Sequence, residues 1–250
     1  MARAAVLGRL TWRAATIAEL RDETATARTL VLSVPGWPGH LAGQHVDLRL
    51  TAQDGYQAVR SYSMAAPADG DRVEVTVEQV EDGEVSPYLA TGTMPGDAVE
   101  VRGPIGGWFV WEPSRTEPVQ LVAGGSGIVP LMAMIRTRTA AGSMVPFRLL
   151  YSTRNPDTVI YQRELLRPVG GLDVTYAYTR RTPGGWRRPP GRVDAGLLAE
   201  AAWPAEFGPT TYVCGPTGFV EAVADLLVGS GHDQATVRTE RFGPTGGRPT

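Results

Sequence analysis

Near residue 118 the hydropathy of this chain changes period, and that change limits the folds open to it. Before it, apolar residues come in short runs or alternate with polar ones. Residues 29–34 form a strand-like run ended by Pro35-Gly36, and residues 45–50 alternate until the turn near Asp54-Gly55. In residues 72–80, Val73, Val75 and Val77 fall on one face, with Arg72, Glu74, Thr76 and Glu78 on the other. Val99 and Val101 flank Glu100 ahead of Gly103-Pro104. A period of two places successive side chains on opposite faces of a sheet. Many short strands broken by Gly, Pro and Asp turns predict an antiparallel barrel or sandwich. The one helix start in this half is read at residues 85–89.

After residue 118 the units are longer and of another kind. An apolar run at 118–123 leads into Gly124-Gly125-Ser126-Gly127 and then a helical pattern over 128–139, with Pro130 tolerated in its first turn. Strands are predicted at 147–152, 172–179, 211–214 and 235–239, and helices at 159–166, 194–198 and 220–227. Strand, turn and helix in repetition predict a parallel sheet covered by helices. The expected organisation is a strand-rich domain over residues 1–112 and an α/β domain over 113–250, joined through residues 111–117.

Composition removes several function classes. All 24 basic residues are arginine, so no mechanism can use a Schiff-base or phosphate-cradling lysine. Cys214 is the one cysteine, which excludes an internal disulfide and a four-cysteine metal or iron–sulfur site built by this chain. A net charge of −2 argues against a general nucleic-acid binder. No apolar run approaches the roughly 18 residues of a membrane span. Residues 1–16 lack a sustained apolar stretch, so no signal peptide is expected, and with the unpaired cysteine this predicts the cytoplasm.

Four local features carry chemistry. The glycine cluster at 124–127 follows a strand and opens a helix, where backbone can approach a pyrophosphate; it also suits a tight turn without a ligand. Cys214-Gly215-Pro216 ends a strand, and a lone cysteine there is either a buried small hydrophobe or a site residue. Arg60-Ser61-Tyr62-Ser63 offers a cation, two hydroxyls and a ring, with Arg60 and Tyr62 on one face of an extended segment. Arg180, Arg181, Arg187, Arg188 and Arg192 lie beyond the end of a presumed parallel strand, where ligands bind. Between Asp69 and Glu84 there are seven acidic residues and one basic, either a solvated surface or a docking patch.

Taken in order, Arg60-Ser61-Tyr62-Ser63, the stretch 83–89, Gly96-Asp97, Gly103-Pro104-Ile105-Gly106, the stretch 124–130, Tyr151-Ser152-Thr153-Arg154, Cys214-Gly215-Pro216 and Glu240-Arg241-Phe242 resemble the ferredoxin–NADP reductase-like flavoproteins, in their bacterial oxygenase-reductase branch without a fused iron–sulfur domain. The resemblance implies a flavin-binding antiparallel β-barrel followed by an α/β parallel-sheet nucleotide-binding domain. It implies that Arg60, with Ser61, holds the phosphate of FAD, that Tyr62 lies against the flavin ring and Ser63 near its N5, and that Val85 and Ser86 meet the pyrophosphate at a helix start. Gly124, Gly125, Ser126, Gly127 and Pro130, with Gly215 and Pro216, would receive the nicotinamide nucleotide. Ser63, Cys214 and Glu240 would be the polar groups at the transfer site, and Phe242 would approach the flavin, with residues 243–250 beyond it.

A 2′-phosphate wants hydroxyl and guanidinium groups, whereas a bare 2′-hydroxyl wants a carboxylate. Ser152, Arg154, Thr179 and Arg180 follow two strand ends that carry no carboxylate, although Asp157 is close, so NADPH is favoured over NADH. The implied activity is hydride transfer from nicotinamide to flavin, then electron delivery to a separate acceptor such as a ferredoxin, a cytochrome P450 or an oxygenase component. The alternative is a flavin-binding electron-transfer or regulatory subunit without its own nicotinamide turnover.

Overall fold

The computed structural model describes residues 10–52, 54–80, 83 and 85–243. Its first half is a six-stranded antiparallel sheet. The strands are β1 (Trp12–Asp22), β2 (Ala27–Ser33), β3 (His45–Thr51), β4 (Gln57–Ser63), β5 (Arg72–Glu78) and β6 (Ala98–Ile105), in the order β4-β3-β6-β1-β2-β5. A bridge between Met64 and Val75, with the Ala65 amide donating to the Glu74 carbonyl, brings the two outer strands together and closes the sheet into a barrel. The alternating valines Val73, Val75 and Val77 point inward with Ile17, Leu30, Leu32, Val46, Leu48, Val99 and Val101. Burying one such side chain stabilises the fold by roughly 1.5–3 kcal/mol. Val85 and Leu89 also fill this interior, from a segment that ends in a π-helical turn at Tyr88–Gly92 rather than in a regular α-helix.

The second half is a five-stranded parallel sheet. It comprises β7 (Val119–Gly124), β8 (Phe147–Thr153), β9 (Leu172–Tyr178), β10 (Thr210–Pro216) and β11 (Val237–Phe242), ordered β11-β10-β7-β8-β9. Its helices are α1 (Ile128–Ala140), α2 (Gln162–Leu165), α3 (Ala195–Ala201) and α4 (Thr217–Gly229). Asp194 caps α3, its carboxylate accepting from the Leu197 amide at 2.7 Å. The strand order reverses between β7 and β10, which puts the β7–α1 turn and the end of β10 at a topological switch point.

One sequence expectation changes here. The helix read at 159–166 is only the four residues of α2, because Val159, Ile160 and Tyr161 are buried in the core that joins the two sheets. Tyr161 is the one non-glycine residue with positive φ (60°) among those described, a conformation that costs a bulky residue about 1–3 kcal/mol. Its hydroxyl bonds Thr76 of β5, and the Arg136 guanidinium lies 4.6 Å over its ring while donating to the Ala65 carbonyl at 2.7 Å. Within the link 111–117, Trp111 is fully buried and packs edge-on against Phe147, while Glu112, Pro113, Ser114 and Thr116 are exposed. One apolar cluster therefore runs through Ala27, Ala42, Ala65 and Phe109 of the first half into α1 and the parallel sheet.

Candidate functional site

The alternation of β5 turns Thr76 and Glu78 away from the barrel interior and toward the second sheet. Together with Ser61, Tyr62 and Ser63 of β4 they form one wall of a cavity of about 300 Å³, closed on the far side by Ser126, Val129, Arg241, Phe242 and Gly243. A second cavity of about 210 Å³ lies beyond it, under Gly124, Gly125, Ser126, Ser152, Arg154, Thr179 and Pro216. It continues into a third, of about 580 Å³, that adds Arg180 and Arg192.

The first cavity suits a ring with polar edges. Tyr62 is half-buried, and burial pushes its phenol up to about 12, so it is a neutral aromatic surface at working pH. Ser63 is buried, and among the described residues its hydroxyl has no hydrogen-bond partner. An orphaned hydroxyl lining a cavity fits a ligand that supplies the missing bond. Ser61 is already engaged, donating to Asp47 Oδ1 at 2.6 Å. Burial works to raise Asp47, but hydrogen bonds from Ser61 and Arg102 outweigh it and hold the carboxylate low. Arg60, one residue before, is exposed and donates to the Val59 carbonyl at 2.7 Å. Val85 points into the barrel core, leaving only its backbone for a ligand, and the Ser86 hydroxyl accepts from the Val80 amide at 3.1 Å.

Glu240 reaches the same seam from β11. Its Oε1 lies 3.8 Å from His45 Nδ1, and β-sheet register sets His45 opposite Ser63. Burial raises the Glu240 carboxyl from its ordinary 4.5 to about 7, and burial lowers His45, against the pull of Asp47. Both groups are thus driven toward their neutral forms. An unfolded chain loses the Glu240 proton near its ordinary value while the folded chain keeps it. The Glu240 contribution to stability should therefore fall as pH rises from about 4.5 to about 7 and level off above, by an amount of order 3 kcal/mol, while the lowered histidines His40, His45 and His232 contribute with the opposite sign. Glu240→Gln should flatten that slope, read as the difference in thermal midpoint across the pH range. Parallel slopes in the two proteins would contradict the placement.

Cys214 is fully buried beside Tyr212 in the joining core, and burial, with Glu240 nearby, pushes its thiol up. It lines neither of the first two cavities; it stands behind the glycine turn, in register with Ala123 on one side and Glu240 on the other. Gly125 takes the left-handed φ of +55° that the turn needs. Gly127 is required by packing: a Cβ there would sit 2.1 Å from the Cys214 carbonyl oxygen. Pro130 is buried in the first turn of α1.

The arginine run divides. Arg180 and Arg192 line the third cavity with Arg154, and no carboxylate lines it. Arg181 pairs with Asp157, and Arg188 with Asp194 and Glu200. Within the acidic run, Glu74 is held by Arg21 and Arg72, and Glu78 faces the cavities. Glu81, Asp82, Glu84 and the tail from 244 to 250 lie outside the described residues. His45, Glu78 and Phe219 join the site without having been singled out in the sequence, since each reads locally as part of an ordinary strand or helix.

A flavin-sized cavity abutting a glycine-turn cavity at a parallel-sheet switch point defines a nucleotide-dependent flavoprotein. Residues 14–110 match the oxidoreductase FAD-binding domain, and residues 121–225 the oxidoreductase NAD-binding domain. The chain belongs to the ferredoxin–NADP reductase-like flavoprotein family. It is 31% identical over 208 residues to the glycine betaine monooxygenase reductase subunit of Pseudomonas aeruginosa, covering 81% of this chain and 56% of that protein. It is 31% identical over 237 residues to the ferredoxin reductase component of the 3-ketosteroid-9-alpha-monooxygenase of Mycolicibacterium smegmatis, covering 90% and 64%. The flavohem-like FAD/NAD-binding domain of nitric oxide dioxygenase from Vibrio cholerae O1 biovar El Tor has the same fold, with a TM-score of 0.83 at 26% identity, over 93% of this chain and 99% of that one. The chain thus spans a little over half the length of the first of these curated relatives. No helix among the described residues is long and apolar enough to cross a membrane.

Proposed function

We propose that this chain takes a hydride from NADPH onto FAD and passes the electrons singly to a separate acceptor of the ferredoxin, cytochrome P450 or oxygenase-component kind. The observation that carries the reading is the contiguity of the two cavities, one ending at Ser63 and Phe242, the other beginning at the glycine turn. FAD supplies both hydride acceptance and one-electron release. The protein's own work is to bind, align and exclude water.

In this reading Tyr62 and Phe242, which line one cavity, would lie against the flavin ring, and the unpartnered Ser63 hydroxyl would be available to its reactive nitrogen. Arg60 and the helix start at Val85–Ser86 meet its phosphates, where free N–H groups favour anions. Glu240, its carboxyl raised by burial to about 7 and set beside His45, can take up or release a proton at the seam near neutral pH. Cys214 fixes the position of the glycine turn. Cys214→Ala should leave FAD affinity intact and slow hydride transfer roughly tenfold, since small displacements of a reacting pair are costly. A wild-type reduction rate would make the thiol purely structural. Support for NADPH over NADH comes from Arg154, Arg180 and Arg192 around one carboxylate-free cavity. A cytoplasmic location belongs to the same reading.

The test is FAD-loaded protein with NADPH and ferricyanide, a small one-electron acceptor. Sustained ferricyanide reduction, faster with NADPH than with NADH, is expected. Protein that holds FAD yet oxidises neither nucleotide would instead be an electron-transfer or regulatory subunit.

A further inference from the structure

Two residues, Glu78 and Ser126, line both the flavin-sized cavity and the glycine-turn cavity, so they form the neck between them. Glu78 is the last residue of β5 and belongs to the strand face that packs on the second sheet. Its face-mate Glu74 is neutralised by Arg21 and Arg72. No such partner meets Glu78 among the described residues. Its Oε2 lies 3.9 Å from where a Cβ on Gly125 would be, so the carboxylate stands directly before the glycine turn.

An unpaired carboxylate at this point selects what occupies the neck. A phosphate there would be repelled. A neutral group with N–H or O–H donors would be held, since a carboxylate only accepts hydrogen bonds. A dinucleotide running from the arginine-lined cavity past the glycine turn would have its phosphates behind Glu78 and would bring its nicotinamide riboside, with two ribose hydroxyls and a carboxamide amine, to the neck.

We propose that Glu78 is a nicotinamide-binding residue whose carboxylate accepts a hydrogen bond from the nicotinamide riboside as it enters the flavin cavity. The inference rests on the function proposed above and names the residue that sets the depth of the nicotinamide. Glu78 fixes the boundary between the anionic and neutral halves of the ligand, while Ser126 offers the opposite wall.

The test compares wild type with Glu78→Ala, Glu78→Gln and Glu78→Asp, by FAD affinity, NADP⁺ affinity from the flavin difference spectrum, and the limiting rate of anaerobic flavin reduction by NADPH. FAD affinity should be unchanged in all. The reduction rate should fall about 10- to 100-fold in Glu78→Ala and Glu78→Gln, as for loss of a charged hydrogen bond at a reacting group, and recover in part in Glu78→Asp. The 3-acetylpyridine analogue of NADPH, which lacks the carboxamide N–H, separates the donors. Loss of the Glu78→Ala effect with it identifies the carboxamide, and an undiminished effect identifies a ribose hydroxyl. A Glu78→Ala protein reduced at the wild-type rate overturns this inference alone, as does a Glu78→Gln protein that binds NADPH more tightly and reacts faster. Wild-type protein that holds FAD but is reduced by neither nucleotide overturns the proposed function with it.

Discussion

Replacing Gly127 with alanine is expected to lower the thermal midpoint by roughly 6–12 °C and to weaken nucleotide binding at least tenfold. The added Cβ would lie 2.1 Å from the Cys214 carbonyl oxygen, 2.4 Å from its carbon and 2.7 Å from the Gly215 nitrogen. All three are backbone atoms of β10 and have no rotamer by which to retreat. The β7–α1 turn must then move off the end of β10, at a cost of about 3 kcal/mol, the upper range for overpacking. The same displacement moves Ser126 at the neck of the cavities. Gly218→Ala is the control for the thermal midpoint alone, because a Cβ there meets nothing within 4 Å and the residue lies in α4, at the wall of the arginine-lined cavity. That variant should be neutral or slightly stabilised, as alanine replaces glycine in a helix. A Gly127→Ala protein with wild-type midpoint and nucleotide affinity would show that the turn is not seated as described.

Arg180→Ala is expected to raise the KM for NADPH about 10- to 100-fold and to leave that for NADH nearly unchanged. Charge-assisted hydrogen bonds between guanidinium and phosphate are worth about 1.5–3 kcal/mol each, and a cofactor without the 2′-phosphate never makes them. The cavity that Arg180 lines contains Arg154 and Arg192 and no carboxylate, while Asp157, the nearest candidate to favour a free ribose hydroxyl, is paired with Arg181. These arginines are exposed, so the preference for NADPH should shrink as salt is added. Equal rises in KM for both nucleotides would remove Arg180 from the 2′-phosphate site.

Much of the architecture was legible because period and burial agree. The valines of β5 alternate and the strands β7 and β8 are near-continuous apolar runs, as expected of a half-buried antiparallel strand and of strands buried on both faces. The strand β1 was not legible. Its inward residues are few, with Ala15 and Ile17 buried between the exposed Ala14, Thr16 and Ala18, and a register shift between Ile17 and Glu19 breaks the period. The helix predicted at 159–166 fails for a tertiary reason: Tyr161 is held in a left-handed conformation by Thr76 and Arg136, which no local propensity encodes.

The site divides along the same line. Arg60, Ser63, the glycine turn and Cys214 sit in short runs whose chemistry is dense enough to be noticed one at a time. His45 and Glu78 acquire meaning only from partners far away in sequence: Glu240 for His45 and Gly125 for Glu78. The acidic run was visible as composition, but its division into a neutralised Glu74 and a Glu78 with no ion-pair partner among the described residues depends on which strands lie alongside.

The central claim is that two nucleotide cofactors meet across the neck between barrel and parallel sheet. Anaerobic rapid mixing of FAD-loaded protein with NADPH tests it most directly, followed through the yellow flavin absorbance, with protium and then deuterium at the transferred position of the nicotinamide. Complete bleaching in a single turnover, slowed by deuterium, is expected. Flavin that stays oxidised while NADPH demonstrably binds would contradict the claim.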